Sequence, residues 1–153
     1  MTCSNATHVC EVELNAETRA VRILCYLVAE DCGRLLNPLL LEGQQHGAVA
    51  MGIGGALYEA LAFDERGQIL TATLADYLVP TATEIPPIEV LPMDTPSRRT
   101  PAGFKGMAEG GVMGALGAVG NAVNDALDPF GVVATTQPFA PDQLWRLLHP
   151  ENG

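Results

Sequence analysis

One glycine-rich stretch carries the side chains best suited to chemistry. Residues 101–111 read PAGFKGMAEGG, so Lys105 and Glu109 stand among glycines immediately before a predicted helix. Free backbone N–H groups at such a helix entrance can bind an anion. A carboxylate between small residues can reach a ligand with little obstruction, and it can act as a general base if burial raises its pKa. The alternatives are a glutamate that complements the helix dipole and a lysine that is simply solvated.

A second group of polar side chains lies early in another predicted helix. Gln44, Gln45 and His46 stand between Gly43 and Gly47. One interpretation is an exposed polar face, but the glycines also allow another backbone or a ligand to come close. A glutamine amide both donates and accepts hydrogen bonds, which suits the amide-like edges of a pterin.

Composition argues against several classes of function. The 153 residues carry a formal charge of −10, which disfavours a partner with a phosphate backbone. Residues 101–111 lack the Lys-Ser/Thr pair of a phosphate-binding loop, and no GxGxxG occurs in the sequence. No segment approaches the roughly 20 apolar residues of a membrane span, and the polar residues near Met1 do not fit a secretory signal. We therefore expect no nucleic acid, no membrane span and a cytoplasmic location.

The four cysteines do not form a metal-binding pattern. Cys3, Cys10, Cys25 and Cys32 are separated by 7, 15 and 7 residues, unlike a CxxC or zinc-ribbon motif. Disulfides are rare in a reducing compartment, so we expect thiols, most of them buried. An iron–sulfur or zinc site is not expected in this chain.

The order of elements predicts an α+β fold in which β-hairpins pack with two glycine-rich helices. Apolar residues predict a strand over 8–14 and a more central strand over 21–29, paired as a hairpin. Asn37 as N-cap and Pro38 at the first helical position predict a helix that extends to about Leu61. Its glycines each cost about 0.8–1 kcal/mol relative to alanine, so we expect a close backbone or ligand contact to offset them.

The second half is predicted to contain another hairpin, a connector and two helices. Residues 62–73 favour a hairpin around a short polar turn, with Gly67 at a position suited to positive φ. Six of the 11 prolines fall within 80–101, which predicts an extended connector with one strand over 88–91. Helical spacing and turn residues predict two further helices, over 110–127 and 141–148.

The order and spacing of these motifs resemble a known enzyme family. The resemblance covers about residues 8–148, and it is carried by DCGRLLNP at 31–38, EGQQHG at 42–47, GIG at 52–54, ALYE at 56–59, Asp76-Tyr77 with Pro80, residues 101–111, NAV at 121–123 and Asp125-Ala126. Together these segments resemble the C-terminal part of the molybdenum-binding subunit of the xanthine oxidase/aldehyde oxidase/carbon monoxide dehydrogenase family.

The resemblance implies a molybdopterin-type molybdenum cofactor and assigns roles to single residues. In the family, a Lys-Gly-x-x-Glu segment supplies the active-site glutamate, which falls on Glu109 and acts as a general base in oxidative hydroxylation. The glutamine after Glu-Gly contacts the pterin, and it falls on Gln44. Lys105 and Gly106 are expected to lie at the cofactor as well.

The chain departs from the family pattern at two positions and in length. Ala108 stands where glycine is usual, and we expect it to alter the geometry of the loop. Met51 stands where glutamine is frequent, and we expect it to remove one amide from the cofactor side. The family's subunit is several times longer, so this chain is not expected to hold the site alone. Met1 and Asn152-Gly153 as natural ends favour a small subunit of a split enzyme, with residues 1–153 forming one domain.

The implied partners follow from that length. They are a larger molybdopterin-binding subunit, iron–sulfur and FAD subunits, and a small substrate such as an aldehyde or an N-heterocycle. The alternative is a noncatalytic assembly or binding subunit that keeps the fold without turnover, for which Ala108 and Met51 are the motivation.

Overall fold

The fold begins with an antiparallel hairpin. A computed structural model describes residues 2–150, so Met1 and residues 151–153, on which the expectation of natural ends rests, lie outside the described residues. Strand β1 covers Asn5–Leu14, and strand β2 covers Val21–Asp31 and pairs with it. The hairpin predicted over 8–14 and 21–29 is confirmed, with Glu11 and Glu13 exposed on the outer face.

A β-bulge changes which side of β2 faces the core. The register shifts between Glu11 and Val12, and Leu24 of β2 is left without a partner in β1. One extra residue reverses the alternation of side chains beyond it. Ile23 and Tyr26 therefore both pack inward, although a regular strand would place them on opposite faces.

The third strand comes from the proline-rich connector. Strand β3 covers Ile88–Met93 and pairs parallel with β2, which becomes the central strand as predicted. It contains the strand expected over 88–91 and continues through Pro92. Proline has no N–H to donate to a sheet, and β3 lies at the sheet edge, where that donor is not required.

Two long helices pack against each other and against the inner face of the sheet. Helix α1 covers Pro38–Leu57, and helix α2 covers Gly110–Leu127, the span predicted from the sequence. The Asn37 side chain accepts a hydrogen bond from the Leu40 N–H, which confirms the predicted N-cap. Helix α1 ends at Leu57 rather than near Leu61, and the Tyr58 N–H still bonds to the Gly54 carbonyl.

The glycines of α1 divide into two groups. A Cβ at Gly52 would lie 2.5 Å from the Cβ of Ala115 and 3.1 Å from the carbonyl oxygen of Val112. Close approach of α2 therefore explains this glycine, as expected. Gly43 and Gly47 have no atom of the described structure within 4 Å of an added Cβ, so one side of α1 is open there.

The second predicted hairpin is reduced to its tip. A single bridge joins Phe63 and Ile69, and Gly67 adopts φ +78° in the turn, as its position suggested. No strands extend from this turn in the described structure. The flanking residues are mostly exposed, so no buried face stabilises longer strands here.

The C-terminal helix closes the end of the core. Helix α3 covers Pro141–Leu148, and Leu144 is buried with Phe139 in the main apolar cluster. Leu148 packs against the same cluster, and the helix span agrees with the prediction over 141–148. Trp145 does not join it, because the indole is on the surface and stacks on His149.

The cysteines agree only in part with expectation. All four are free thiols, but Cys32 alone among them is buried, so the expectation of mostly buried thiols is wrong. Cys25 is exposed because the bulge places it on the outer face of the sheet, and Cys3 precedes β1. Within residues 2–150, none of the helices has the length and apolar character needed to cross a bilayer.

Candidate active site

The Glu109 loop, residues 104–109, runs from the 3₁₀ turn Pro101–Gly103 to α2. Glu109 occupies the N-cap position of α2, but its side chain is exposed and makes no capping hydrogen bond with the described residues. Gly106 is also exposed, with nothing within 4 Å of an added Cβ. The carboxylate predicted to act as a base is therefore at the surface and accessible.

The start of the loop is attached to the end of β2. The Lys105 N–H donates to the Cys32 carbonyl at 2.8 Å, and the Arg34 N–H donates to the Gly103 carbonyl at 3.2 Å. Gly33 adopts φ +71° at this contact, and a Cβ there would collide with the Gly103 carbonyl oxygen. Glycine is required for both reasons.

A buried ion pair fixes the part of the loop that precedes Glu109. Lys105 Nζ lies 2.7 Å from Asp31 Oδ2 and 2.8 Å from Thr95 Oγ1. The charged side chains are only 13% and 4% exposed. Burial alone would raise the pKa of Asp31, but the hydrogen bonds that the carboxylate accepts, from Lys105 above all, hold the pKa well below its ordinary value.

Helix α1 contacts the other end of the loop through Gln44. Its Nε2 donates to the Ala108 carbonyl at 2.7 Å. Gln45 instead points into the core, and the His46 ring donates from Nε2 to the Ile88 carbonyl at 3.1 Å. The expectation of one exposed polar face therefore holds for Gln44 alone.

Strand β1 supports the first turn of α2. His8 Nε2 lies 3.1 Å from the Gly110 carbonyl oxygen, and His8 Nδ1 lies 2.8 Å from the Tyr26 hydroxyl. A carbonyl only accepts, so Nε2 carries the proton and the Tyr26 hydroxyl donates to Nδ1. Burial lowers the pKa of His8, and the hydrogen bond to Gly110 partly offsets this effect, so the ring is neutral at pH 7.

A buried carboxyl and a buried amide lie beneath the same turn. Glu30 of β2 and Gln45 of α1 are both 0% exposed. A Cβ at Gly110 would lie 2.5 Å from Glu30 Oε2, and a Cβ at Gly111 would lie 2.6 Å from Gln45 Oε1. Neither side chain has a hydrogen-bond partner among the described residues. The two glycines make room for both.

Three depressions surround the Glu109 loop. Glu109 lines one of about 620 Å³ together with His8, and one of about 440 Å³ together with Gln44. Gln44 also lines the third, of about 480 Å³, together with Lys105 and Arg34. Gln44 thus borders one of the two depressions that Glu109 lines and also the depression that Lys105 and Arg34 line.

The two positions that depart from the family pattern lie at the same place. Ala108 and Met51 both line the depression shared by Gln44 and Glu109. The Ala108 side chain is exposed and its carbonyl still accepts the bond from Gln44, so the methyl group is accommodated. Met51 is 65% exposed.

Gln44 and Glu109 line one depression, and Gly106 lines a second depression together with Glu109. Lys105 belongs to the same loop, but its ammonium turns inward to Asp31. Among the groups that hold the loop, Asp31 and Gln45 stand in segments noted in the sequence, but without this role. Glu30, His8 and Tyr26 were not predicted at all. The Gly110-Gly111 pair is the one sequence signal for a side chain packed under the start of α2.

Comparison with known proteins identifies the family. Residues 1–86 match the family model described as a molybdopterin cofactor-binding domain. The chain belongs to this family. It is 44% identical over 143 residues to the nicotine 6-hydroxylase large subunit of Paenarthrobacter nicotinovorans, a match that covers 94% of this chain and 18% of the relative. It is 34% identical over 145 residues to the carbon monoxide dehydrogenase large chain of Hydrogenophaga pseudoflava, covering 95% and 18%.

A solved structure has the same fold. Quinoline 2-oxidoreductase from Pseudomonas putida 86 superposes with a TM-score of 0.93 at 41% identity, over 95% of this chain and 19% of that chain. The molybdopterin-binding chain therefore has the expected α+β fold, and the resemblance drawn from its motifs is confirmed. It spans less than a fifth of the length of these relatives.

The residues of this surface fit a molybdopterin. The Gln44 amide retains its Oε1 and a second N–H for a pterin edge after it bonds to Ala108. Gly43, Gly47 and Gly106 carry no side chain to obstruct a flat ring system. Arg34, exposed in the adjoining depression, is suited to an anionic group.

Proposed function

We propose that this chain completes the molybdopterin site of a molybdenum-dependent hydroxylase or dehydrogenase and contributes Glu109 as its general base. The observation that supports the proposal is the 2.7 Å hydrogen bond from Gln44 to the Ala108 carbonyl. It ties the side chain proposed for the pterin to the residue before the proposed base. Both side chains line one depression, so a cofactor held by Gln44 would lie in a depression that Glu109 also lines.

Three residues are proposed to hold the cofactor, each in a different way. Gln44 offers its amide to the pterin, and Gly106 allows close approach of the loop backbone. Lys105 contributes the part of its chain that lines the depression, while its ammonium anchors the loop through Asp31. The bound cofactor supplies the two-electron oxidation of a substrate carbon.

Glu109 is proposed to take up a proton from the reacting oxygen group. A general base needs a carboxylate that can reach the proton, and the Glu109 side chain is exposed and makes no capping hydrogen bond with the described residues. Because Glu109 is exposed in this chain, the groups that would shield its carboxylate from water must come from the rest of the enzyme. The Glu109 loop therefore supplies the position, and the assembled enzyme supplies the dry environment.

The proposed partners are the rest of a molybdopterin-binding subunit together with iron–sulfur and FAD subunits. The chain spans less than a fifth of its relatives, so most of an enclosing site lies elsewhere. The substrate is proposed to be an N-heterocycle, an aldehyde or a similar small molecule, since relatives are named for nicotine and quinoline. We propose a cytoplasmic location for the complex, in line with four free thiols. We also propose that residues 1–153 form one C-terminal molybdopterin-binding subdomain.

The experiment that tests the proposal is Glu109→Gln in the complex assembled with its partner chains. The substitution keeps the size of the side chain but removes its ability to accept a proton. We expect the turnover number to fall by about 10²–10⁴-fold, with unchanged molybdenum content. Glu65→Gln, an exposed carboxylate in the 62–73 turn, is the matched control and should behave as wild type.

Two outcomes would redirect the assignment. Near wild-type turnover of Glu109→Gln at full molybdenum occupancy would leave the carboxylate as a complement to the α2 dipole. A wild-type complex that binds molybdopterin without turnover on any tested substrate would instead support the noncatalytic assembly subunit, which the Ala108 and Met51 departures suggest.

A further inference from the structure

The buried pair beneath α2 has no explanation in the proposed chemistry. Glu30 and Gln45 come from different elements, are completely buried, and lie beside the residues that follow Glu109. All four of their polar atoms lack a hydrogen-bond partner among the described residues. An unpaired ionised carboxylate in such a place is costly, and so is an unpaired amide.

Protonation of Glu30 satisfies both side chains at once. A carboxylic acid donates its O–H to an amide oxygen, and the amide N–H donates back to the acid carbonyl. An ionised carboxylate cannot donate, so it would leave Gln45 Oε1 without a partner. The acid form is therefore the one that matches the surroundings. We propose that Glu30 carries a proton, pairs with Gln45 as acid and amide, and thereby positions Glu109.

The surrounding charges agree with a neutral Glu30. Burial raises the pKa of Glu30, the adjacent Gln45 amide opposes the rise, and the nearby Asp31 charge adds to it. Two neighbouring carboxyls thus differ, because Asp31 is held ionised by its buried lysine while Glu30 has no cationic partner within residues 2–150. The titratable groups near it are Asp31 and Cys32 on β2 and, at the same turn from β1, the neutral His8.

The pair acts on Glu109 through the start of α2. Gly110 rests on the Glu30 carboxyl and Gly111 on the Gln45 amide, at distances that admit no side chain. The first turn of α2 therefore cannot sink or rotate without meeting this pair. Glu109 is the residue before Gly110, so the position of the first turn of α2 determines the position of the Glu109 carboxylate.

The test is a double-mutant cycle in the assembled complex, read by molybdenum content, melting temperature and steady-state kinetics. Glu30→Leu leaves the amide unpaired, and Gln45→Leu leaves the acid unpaired. We expect each to lower the melting temperature and to reduce kcat by about 10–100-fold with little change in KM. The double variant replaces both partners with apolar side chains, so it should regain most of the melting temperature lost in the single variants.

Glu30→Gln is the decisive variant. It keeps the shape and restores a reciprocal pair without any charge, so kcat and melting temperature should stay within about twofold and a few degrees of wild type. Wild type should also show an infrared band of a protonated carboxylic acid at neutral pH that Glu30→Gln lacks. Loss of activity in Glu30→Gln equal to that in Glu30→Leu, or absence of the band, would overturn the proposal.

Only the kinetic measurements in this test rest on the proposed function of Glu109. If Glu109→Gln were fully active, the kinetic effect proposed for the Glu30–Gln45 pair would lose its basis. The melting temperatures of the double-mutant cycle and the infrared band would still test the pair itself. If Glu30→Leu prevents assembly, Glu30→Gln still decides between a neutral and an ionised Glu30. An additive cycle, with no recovery in the double variant, would show that the two side chains do not interact.

Discussion

At the scale of single residues, Gln44 joins α1 to the Glu109 loop and remains available to a ligand. Gln44→Ala removes the bond to the Ala108 carbonyl and the amide proposed for the pterin. A hydrogen bond contributes about 1 kcal/mol, so we expect cofactor occupancy to fall about fivefold when the cofactor is limiting. Molybdenum analysis of the purified complex measures this. Gln68→Ala, another exposed glutamine, is the control, and equal occupancy in both variants would remove Gln44 from the site.

The Asp31–Lys105 ion pair predicts how stability depends on pH. The folded-state pKa of Asp31 lies below its ordinary value of 3.8, so its contribution is present above 3.8 and is lost as the pH falls below it. Asp31→Asn leaves a buried ammonium unpaired and should cost about 3–5 kcal/mol at neutral pH. The difference from wild type should shrink below pH 3.8, as measured by urea unfolding across that range.

A second substitution separates the ion pair from packing. Asp31→Asn combined with Lys105→Met removes both charges, so most of the lost stability should return. If the deficit of Asp31→Asn stayed constant at every pH, the ion pair would not be its source.

At the scale of elements, the contact between α1 and α2 depends on Gly52. Gly52→Ala places a methyl group 2.5 Å from the Cβ of Ala115, so the helices must separate. We expect a loss of about 1–3 kcal/mol, read as a lower melting temperature of the complex. Gly117→Ala is the matched control in α2, where nothing lies within 4 Å, and it should stabilise by about 0.5–1 kcal/mol. Equal effects of the two substitutions would show that helix propensity, and not helix contact, explains Gly52.

The elements also show how far the sequence alone could be taken. The α2 boundaries, the Asn37 cap and the central position of β2 follow from local patterns, and the structure has them. The bulge at Leu24 leaves no local signal, because the residues on both sides of it are apolar. A prediction that does not include the bulge cannot tell which face of β2 points inward, and so cannot place Glu30 on that face. The roles of the groups that hold the Glu109 loop were also not predicted, because each role depends on contacts between segments that are distant in the sequence.

At the scale of the whole molecule, the outer face of the sheet exposes large apolar side chains beside charged ones such as Glu11 and Glu13. Val9, Leu24 and Leu91 give one large exposed side chain from each strand. The segment that connects α1 to β3 carries a further group of exposed apolar side chains, which are Leu61, Phe63, Leu70, Leu74, Leu78 and Val79. Such surfaces are typical of a face that another protein covers.

We therefore predict that the chain depends on its partner for solubility. Expressed alone, it should aggregate or bind a hydrophobic dye strongly, and it should contain no molybdopterin. Co-expression with the partner chain should abolish dye binding and give a defined complex by size-exclusion chromatography. A monodisperse monomer with weak dye binding would contradict this prediction.

The parallel pairing of β2 with β3 has a consequence for the time at which the site forms. The β1–β2 hairpin needs only local contacts, whereas β3 must return to β2 after the whole of α1 and the connector. The Asp31–Lys105 pair closes a still longer loop, between residues 74 positions apart. Long-range closures of this kind are slow steps in folding. On a ribosome, the nascent chain can complete its hairpin early, but Glu109 takes its place only after β3 and Lys105 have also emerged. The surface around Glu109 therefore forms later than the hairpin on which it is built.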